Sequence, residues 1–210
     1  RPGFDIHFAD HTRDDTIAGM ARTLLAEAPA RFHLVAHAMG GFTAFEVMRQ
    51  APGRVESLIL IATLAEADGP AQTERREGYI RLVEAGRFDE VAEERIPILL
   101  HPDHRRDVRL LAIVRRMAAE TGAQTFLRQQ RAIMGRTDSR PSLRAIRVPT
   151  LIVRGDGDGI TTPAQQAAMI NAIPHARFVE IESCGHLATL EAPDRLNRLL
   201  AEWLGPFQAA

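Results

Sequence analysis

A chain of 210 residues with 45% apolar content can bury one sizeable core, or a core with a small cap. Its formal net charge of −1 provides no global field for nucleic acid or an anionic membrane, and no run reaches the roughly 18 apolar residues of a membrane span. All 26 basic residues are Arg; the single Cys184 and the absence of an apolar leader make a reducing, cytoplasmic setting the expectation. The chain opens with a short apolar stretch, Phe4 to Ala9, which predicts a strand. Thr12 with Asp15 three residues on predicts a helix cap, and Ile17, Met20, Leu24 and Leu25 follow at helical spacing. Phe32 to Ala36 predicts a strand, 40–51 a helix, and Val55 to Ala62 a strand buried on both faces. Between 64 and 147 the sequence turns Arg- and Glu-rich with 3.6-residue periodicity, predicting helices near 70–85, 88–96, 104–121 and 123–134. Alternation then resumes with a strand at Val148 to Arg154, a helix from Pro163 to Ala172, a strand at Arg177 to Ile181 and a helix from Pro193 to Leu204.

Strands alternating with helices predict an α/β fold with a mostly parallel sheet covered on both faces. The helical block reads as an insertion, dividing the chain into core residues 1–63, a cap at 64–147 and core residues 148–210. Functional groups in such sheets gather at the carboxyl ends of strands. Three of those ends carry suggestive residues, in the order turn, acid, histidine: the tight turn His37-Ala38-Met39-Gly40-Gly41, the loop Val153 to Pro163 with Asp156 and Asp158, and His186 after Gly185.

These patterns resemble the α/β-hydrolase superfamily, in particular its small lidded esterase-like members. The family's nucleophile elbow reads small-x-Ser-x-Gly, often G-H-S-M-G-G, against Ala36-His37-Ala38-Met39-Gly40-Gly41 here. Its acid loop commonly reads G-x-x-D-x-x-x-P, as Gly155 and Asp158 do, and its histidine commonly follows Gly. The resemblance implies Ala38 at the nucleophile position, Asp158 as acid with Asp156 as rival, His186 as base, and the Met39 N–H as oxyanion donor. It implies a serine hydrolase acting on a small-molecule carboxylic ester or lactone. The alternatives are a carbon–carbon bond hydrolase or lyase with the same triad, and a ligand-binding pseudoenzyme. No cofactor or metal is expected. Ala38 departs from the pattern, and an engineered Ser-to-Ala inactivation is the preferred reading over a natural pseudoenzyme.

A second departure is the absence of the family's His-Gly strand and loop before Asp5. The expectation is that an N-terminal segment is missing, or that self-association completes the sheet. Met117, Phe126 and Met134 are the candidate substrate-binding residues beneath the cap. Residues 71–150 hold 16 Arg against 11 acidic residues, a net +5 that an anionic substrate could exploit, although a solvated surface is the plainer reading. Likewise, His101 and His104 read as solvated cap surface, and His7, Asp10 and His11 as a loop with a helix cap.

Overall fold

The computed structural model describes residues 3–208. Helix α1 (Ile17–Glu27) precedes strand β1 (Phe32–His37), helix α2 (Met39–Gln50) and strand β2 (Val55–Ile61). Helices α3 (Pro70–Glu84), α4 (Phe88–Leu99), α5 (Val108–Thr121) and α6 (Ala123–Met134) follow. The chain then forms β3 (Thr150–Gly155), α7 (Pro163–Ala172), β4 (Arg177–Ile181), α8 (Ala188–Glu191) and α9 (Pro193–Leu204). The four strands make one parallel sheet in the order β1-β2-β3-β4.

Side-chain alternation along the central strands explains why both are apolar throughout. Leu58 and Leu60 of β2 and Ile152 of β3 enter a core with Phe45 and Val47 of α2 and Met169 of α7. Their neighbours Ile59, Ile61, Leu151 and Val153 enter the opposite core, against Ala188 of α8 and Leu196 of α9. The sheet is thus covered on both faces, as the run of apolar residues predicts.

Phe4 to Ala9 is not a strand. The contacts lie at Phe4 and beyond the segment: the Phe4 ring stands edge-on to His33 of β1 at 5.5 Å, and His11 Nε2 lies 2.9 Å from Thr43 Oγ1 on α2. Between these contacts Ile6 and Phe8 are 68% and 92% exposed. A strand exists only through a neighbour's backbone bonds, and among the described residues none pairs with the outer edge of β1. The cap of α1 also differs from expectation. Thr16, not Thr12, accepts the N–H of Gly19, while Thr12 donates to Asp10. Helix α5 begins at Val108 rather than 104, because Pro102–His104 forms a 3₁₀ turn and the Asp107 carboxylate caps the helix through the N–H groups of Arg109 and Leu110.

The helices between β2 and β3 have an apolar core of their own, built on Tyr79, Val83, Val91, Phe126 and Leu127. They are fixed to the sheet by a charge cluster at Asp68. Its carboxylate receives Arg136 at 2.7 Å and Arg76 at 2.6 Å, and the Asp68 and Arg136 side chains are only 3% and 4% exposed. Arg136 also donates to the Glu66 carbonyl and lies over the Phe42 ring at 4.2 Å, so one guanidinium touches both parts of the molecule. Removing the acid leaves a buried cation unpaired, which is costlier than never having placed the pair. Asp68→Ala is expected to lower stability by about 3–5 kcal/mol, read as a fall in the urea midpoint at unchanged slope.

Candidate active site

The turn between β1 and α2 places Ala38 at φ 51°, ψ −116°, in left-handed space that a non-glycine residue enters only under constraint. The constraint is visible. Ala38 N–H donates to the Ile61 carbonyl at 3.0 Å, and Thr63 Oγ1 donates to the Ala38 carbonyl at 2.8 Å. The same threonine explains Gly41, where an added Cβ would stand 2.2 Å from Thr63 Oγ1. Gly40 is different: a Cβ there would meet nothing closer than the Ala36 methyl at 4.0 Å. Met39 is the first residue of α2, so its N–H belongs to the helix-end donors that have no intrahelical acceptor.

Asp158 and His186 are brought together from the loops after β3 and β4. His186 Nδ1 is 3.1 Å from each Asp158 carboxylate oxygen, and both side chains are buried. Asp158 also accepts the N–H of Ile160 at 2.7 Å, the N–H of Thr161 at 3.1 Å and the Thr161 hydroxyl at 2.5 Å. Burial alone would raise its pKa. The hydrogen bond and charge of His186, with the Thr161 and Ile160 donors, outweigh burial and hold it below the ordinary carboxylate value. Asp156 faces elsewhere, accepting the Cys184 N–H at 3.1 Å and approaching His101 Nε2 at 3.8 Å. Arg154, buried beneath this loop, donates to the carbonyls of Thr161 and Asp158 and pairs with Glu180.

His186 is tied to the Ala38 turn by the residue before it. His37 Nε2 donates to the His186 carbonyl at 2.8 Å, and the two rings are 5.2 Å apart. On its other side, His186 N–H donates to the Leu99 carbonyl at the end of α4. Glu191 completes this junction. Its buried carboxylate accepts from the backbone N–H groups of Gly185 and His101 and lies 2.9 Å from His104 Nδ1. His101 and His104 are therefore not a solvated surface. They wedge the start of the 3₁₀ turn against the acid and histidine loops, so closely that a Cβ on Gly157 would stand 2.1 Å from the His101 ring. Cys184 is buried, its thiol pushed up to about 12 by burial and then by the charge of Glu191.

Met117 and Phe126 line a cavity of about 170 Å³ among α4, α5 and α6, whose wall includes Leu187, the residue after His186. Met134 is half-buried at the end of α6 and does not line it. The residues that sequence reasoning missed are the supports, namely Thr63, Glu191 and the Leu99 carbonyl. None belongs to a local motif. Thr161, by contrast, sits three residues after Asp158, where hydroxyl residues commonly close a turn around a carboxylate.

Comparison with known proteins agrees with this geometry. A model of the Alpha/beta hydrolase family matches residues 1–199, and the chain belongs to that family. A putative carbamate hydrolase, RutD, of Azorhizobium caulinodans is 30% identical over 89% of this chain and 71% of its own length. The pimeloyl-[acyl-carrier protein] methyl ester esterase of Nitrosomonas europaea is 25% identical over 86% of this chain and 74% of its own. Among solved structures, an esterase from Thermogutta terrifontis superposes with a TM-score of 0.85 at 29% identity, covering 97% of this chain and 77% of that one. An enol-lactonase from Burkholderia xenovorans does so at 0.79 and 25%, covering 90% and 73%. Among the described residues, no helix is long and apolar enough to cross a membrane.

The position of His37 carries a pH signature. Its pKa is pushed down from 6.5 to about 4, first by burial and then by the neighbouring His186. The unfolded chain therefore takes up a proton near pH 6.5 that the folded chain refuses until about pH 4. Stability from this group is complete above pH 6.5 and is lost as pH falls toward 4. Asp158, whose pKa is depressed, loses its contribution only below its ordinary value of 3.8. His37→Gln, which keeps a donor for the His186 carbonyl, is expected to flatten the decline in Tm between those two pH values.

Proposed function

We propose that the chain is the scaffold of a serine hydrolase for carboxylic esters or lactones, with Ala38 standing where the nucleophilic serine belongs. The observation that carries this reading is His186: Nδ1 is held by a buried carboxylate, and Nε2 has no hydrogen-bond partner among the described residues. An imidazole so oriented is a general base awaiting a proton donor. In a serine form, the position 38 hydroxyl would attack the substrate carbonyl and pass its proton to Nε2. Asp158 would stabilise the imidazolium that results. The tetrahedral oxyanion would meet the Met39 N–H at the positive end of α2. Collapse would then expel the alcohol, protonated by His186, and a water activated by the same ring would release the acid.

The relatives are named as an esterase, a carbamate hydrolase and an enol-lactonase, which supports acyl transfer to water as the shared chemistry. In this reading Ala38 reflects replacement of a serine, the helices α3 to α6 form a lid, and the cavity lined by Met117 and Phe126 receives the acyl or alcohol group. A cytoplasmic location belongs to the same reading, supported by the lone buried thiol.

As given, the protein is expected to turn over no ester. Ala38→Ser should gain stoichiometric labelling at position 38 by a fluorophosphonate, read by intact mass, together with hydrolysis of p-nitrophenyl acetate. Asp158→Asn in that background should lower kcat by about ten-thousandfold, as in a comparable triad. A protein that binds esters but shows neither labelling nor turnover after Ala38→Ser is a binding module, and the hydrolase reading falls.

A separate prediction concerns the lid. In the serine background, Met117→Ala and Phe126→Ala should shift preference toward longer acyl chains, measured as ratios of kcat/KM, while Met134→Ala should leave the ratio unchanged.

A further inference from the structure

The cavity among α4, α5 and α6 is walled by side chains such as Val91, Leu99, Val114, Met117 and Phe126, and Arg95 enters the same wall. The Arg95 guanidinium lies over the Phe126 ring at 5.8 Å from its centre. Among the described residues it has no carboxylate within 4.0 Å and no hydrogen-bond partner. The acids of its own helix are paired elsewhere or exposed: Glu93 pairs with Arg115, Glu90 pairs with Arg87, and Asp89 and Glu94 are exposed. The more enclosed arginines are treated differently, since Arg136 has Asp68 and Arg154 has Glu180.

A half-buried guanidinium without a counter-ion is costly, and arginine cannot escape by losing its proton near neutrality. The direction of its pKa reflects that cost: burial lowers it foremost, Tyr79 raises it, and the charges of Arg76 and Arg75 lower it. An anion arriving in the cavity would supply the missing partner. The wall also includes Leu187, next in the chain to His186, so the cavity borders the loop that carries the histidine. The cavity, about 170 Å³, is small.

We propose that Arg95 binds a carboxylate carried by the substrate, making short esters or lactones with a free carboxylate remote from the reacting carbonyl the preferred class. The reacting end of this assignment rests on the hydrolase reading; the anion site does not.

The test separates the two. Binding is measured by calorimetry on the protein as it is, with monoethyl succinate and the neutral diethyl succinate as probes. The monoester is expected to bind about ten- to a hundredfold more tightly, the range of a hydrogen-bonded ion pair. Arg95→Met should remove that difference without weakening the diester, and Arg95→Lys, which keeps the charge but not the fork, should retain part of it. Equal binding of the two probes, equal weakening of both by Arg95→Met, or no binding of the monoester overturns the proposal. Turnover of both probes by the Ala38→Ser variant is read independently. A charge-dependent binding preference without turnover sustains the Arg95 site and removes only the hydrolase reading. Turnover of the diester with no preference for the monoester does the reverse.

Discussion

The site is organised around Ala38, one of four non-glycine residues at positive φ among the described residues. Ala38 occupies φ 51° between β1 and α2, where an L-residue costs of order 1–3 kcal/mol. The strain is sustained because Thr63 clamps the Ala38 carbonyl, Ile61 accepts its N–H, and Gly41 lets α2 start against the Thr63 side chain. These contacts set where α2 begins and which way it points. They also place His37, whose imidazole reaches across to the His186 carbonyl. A methyl group gains nothing from such a conformation. The backbone holds this turn in place whether or not the side chain at position 38 can react.

Around that turn, loops from three strand ends are held by backbone and buried polar contacts as well as by apolar packing of Ile160 and Leu187. Thr161 and Ile160 fix the Asp158 carboxylate, Arg154 fixes the loop that carries it, and Glu191 fixes the loop that carries His186. Two contacts join the histidine loop to the end of α4: the Glu191 carboxylate accepts the His101 N–H, and the His186 N–H donates to the Leu99 carbonyl. The histidine is thereby coupled to the helical segment as well as to the sheet, and a displacement of α4 would be felt at the His186 backbone.

Much of this was legible in the sequence. The buried strands declared themselves by unbroken apolar runs, and Arg177 to Ile181, Pro163 to Ala172 and Pro193 to Leu204 were bounded by prolines and turn residues at their ends. Asp158 and His186 were findable because each lies a fixed short step from a glycine after a strand. What was not legible depends on contacts distant in the chain. Phe4 to Ala9 has the composition of a strand, but strand formation is a property of pairs, and composition says nothing about whether a partner edge is met. The placement of His101 and His104 follows from Glu191, some 90 positions away. The solitude of Arg95 could not be read at all, since one arginine among 26 looks like any other until its neighbours are known.

The open flank of β1 has a consequence for backbone dynamics. An edge strand in a parallel sheet presents alternate amides to its single neighbour and turns the others outward. In β1 the inward set is bonded to β2, whereas the outward set faces a segment that forms no ladder with it, beside a Val35 side chain that is 45% exposed. Deuterium uptake along this strand is therefore expected to alternate, slower at the residues bonded to β2 and faster at those between. Among the described residues, the strand that leads into the constrained Ala38 turn thus leaves half of its amides outside the ladder.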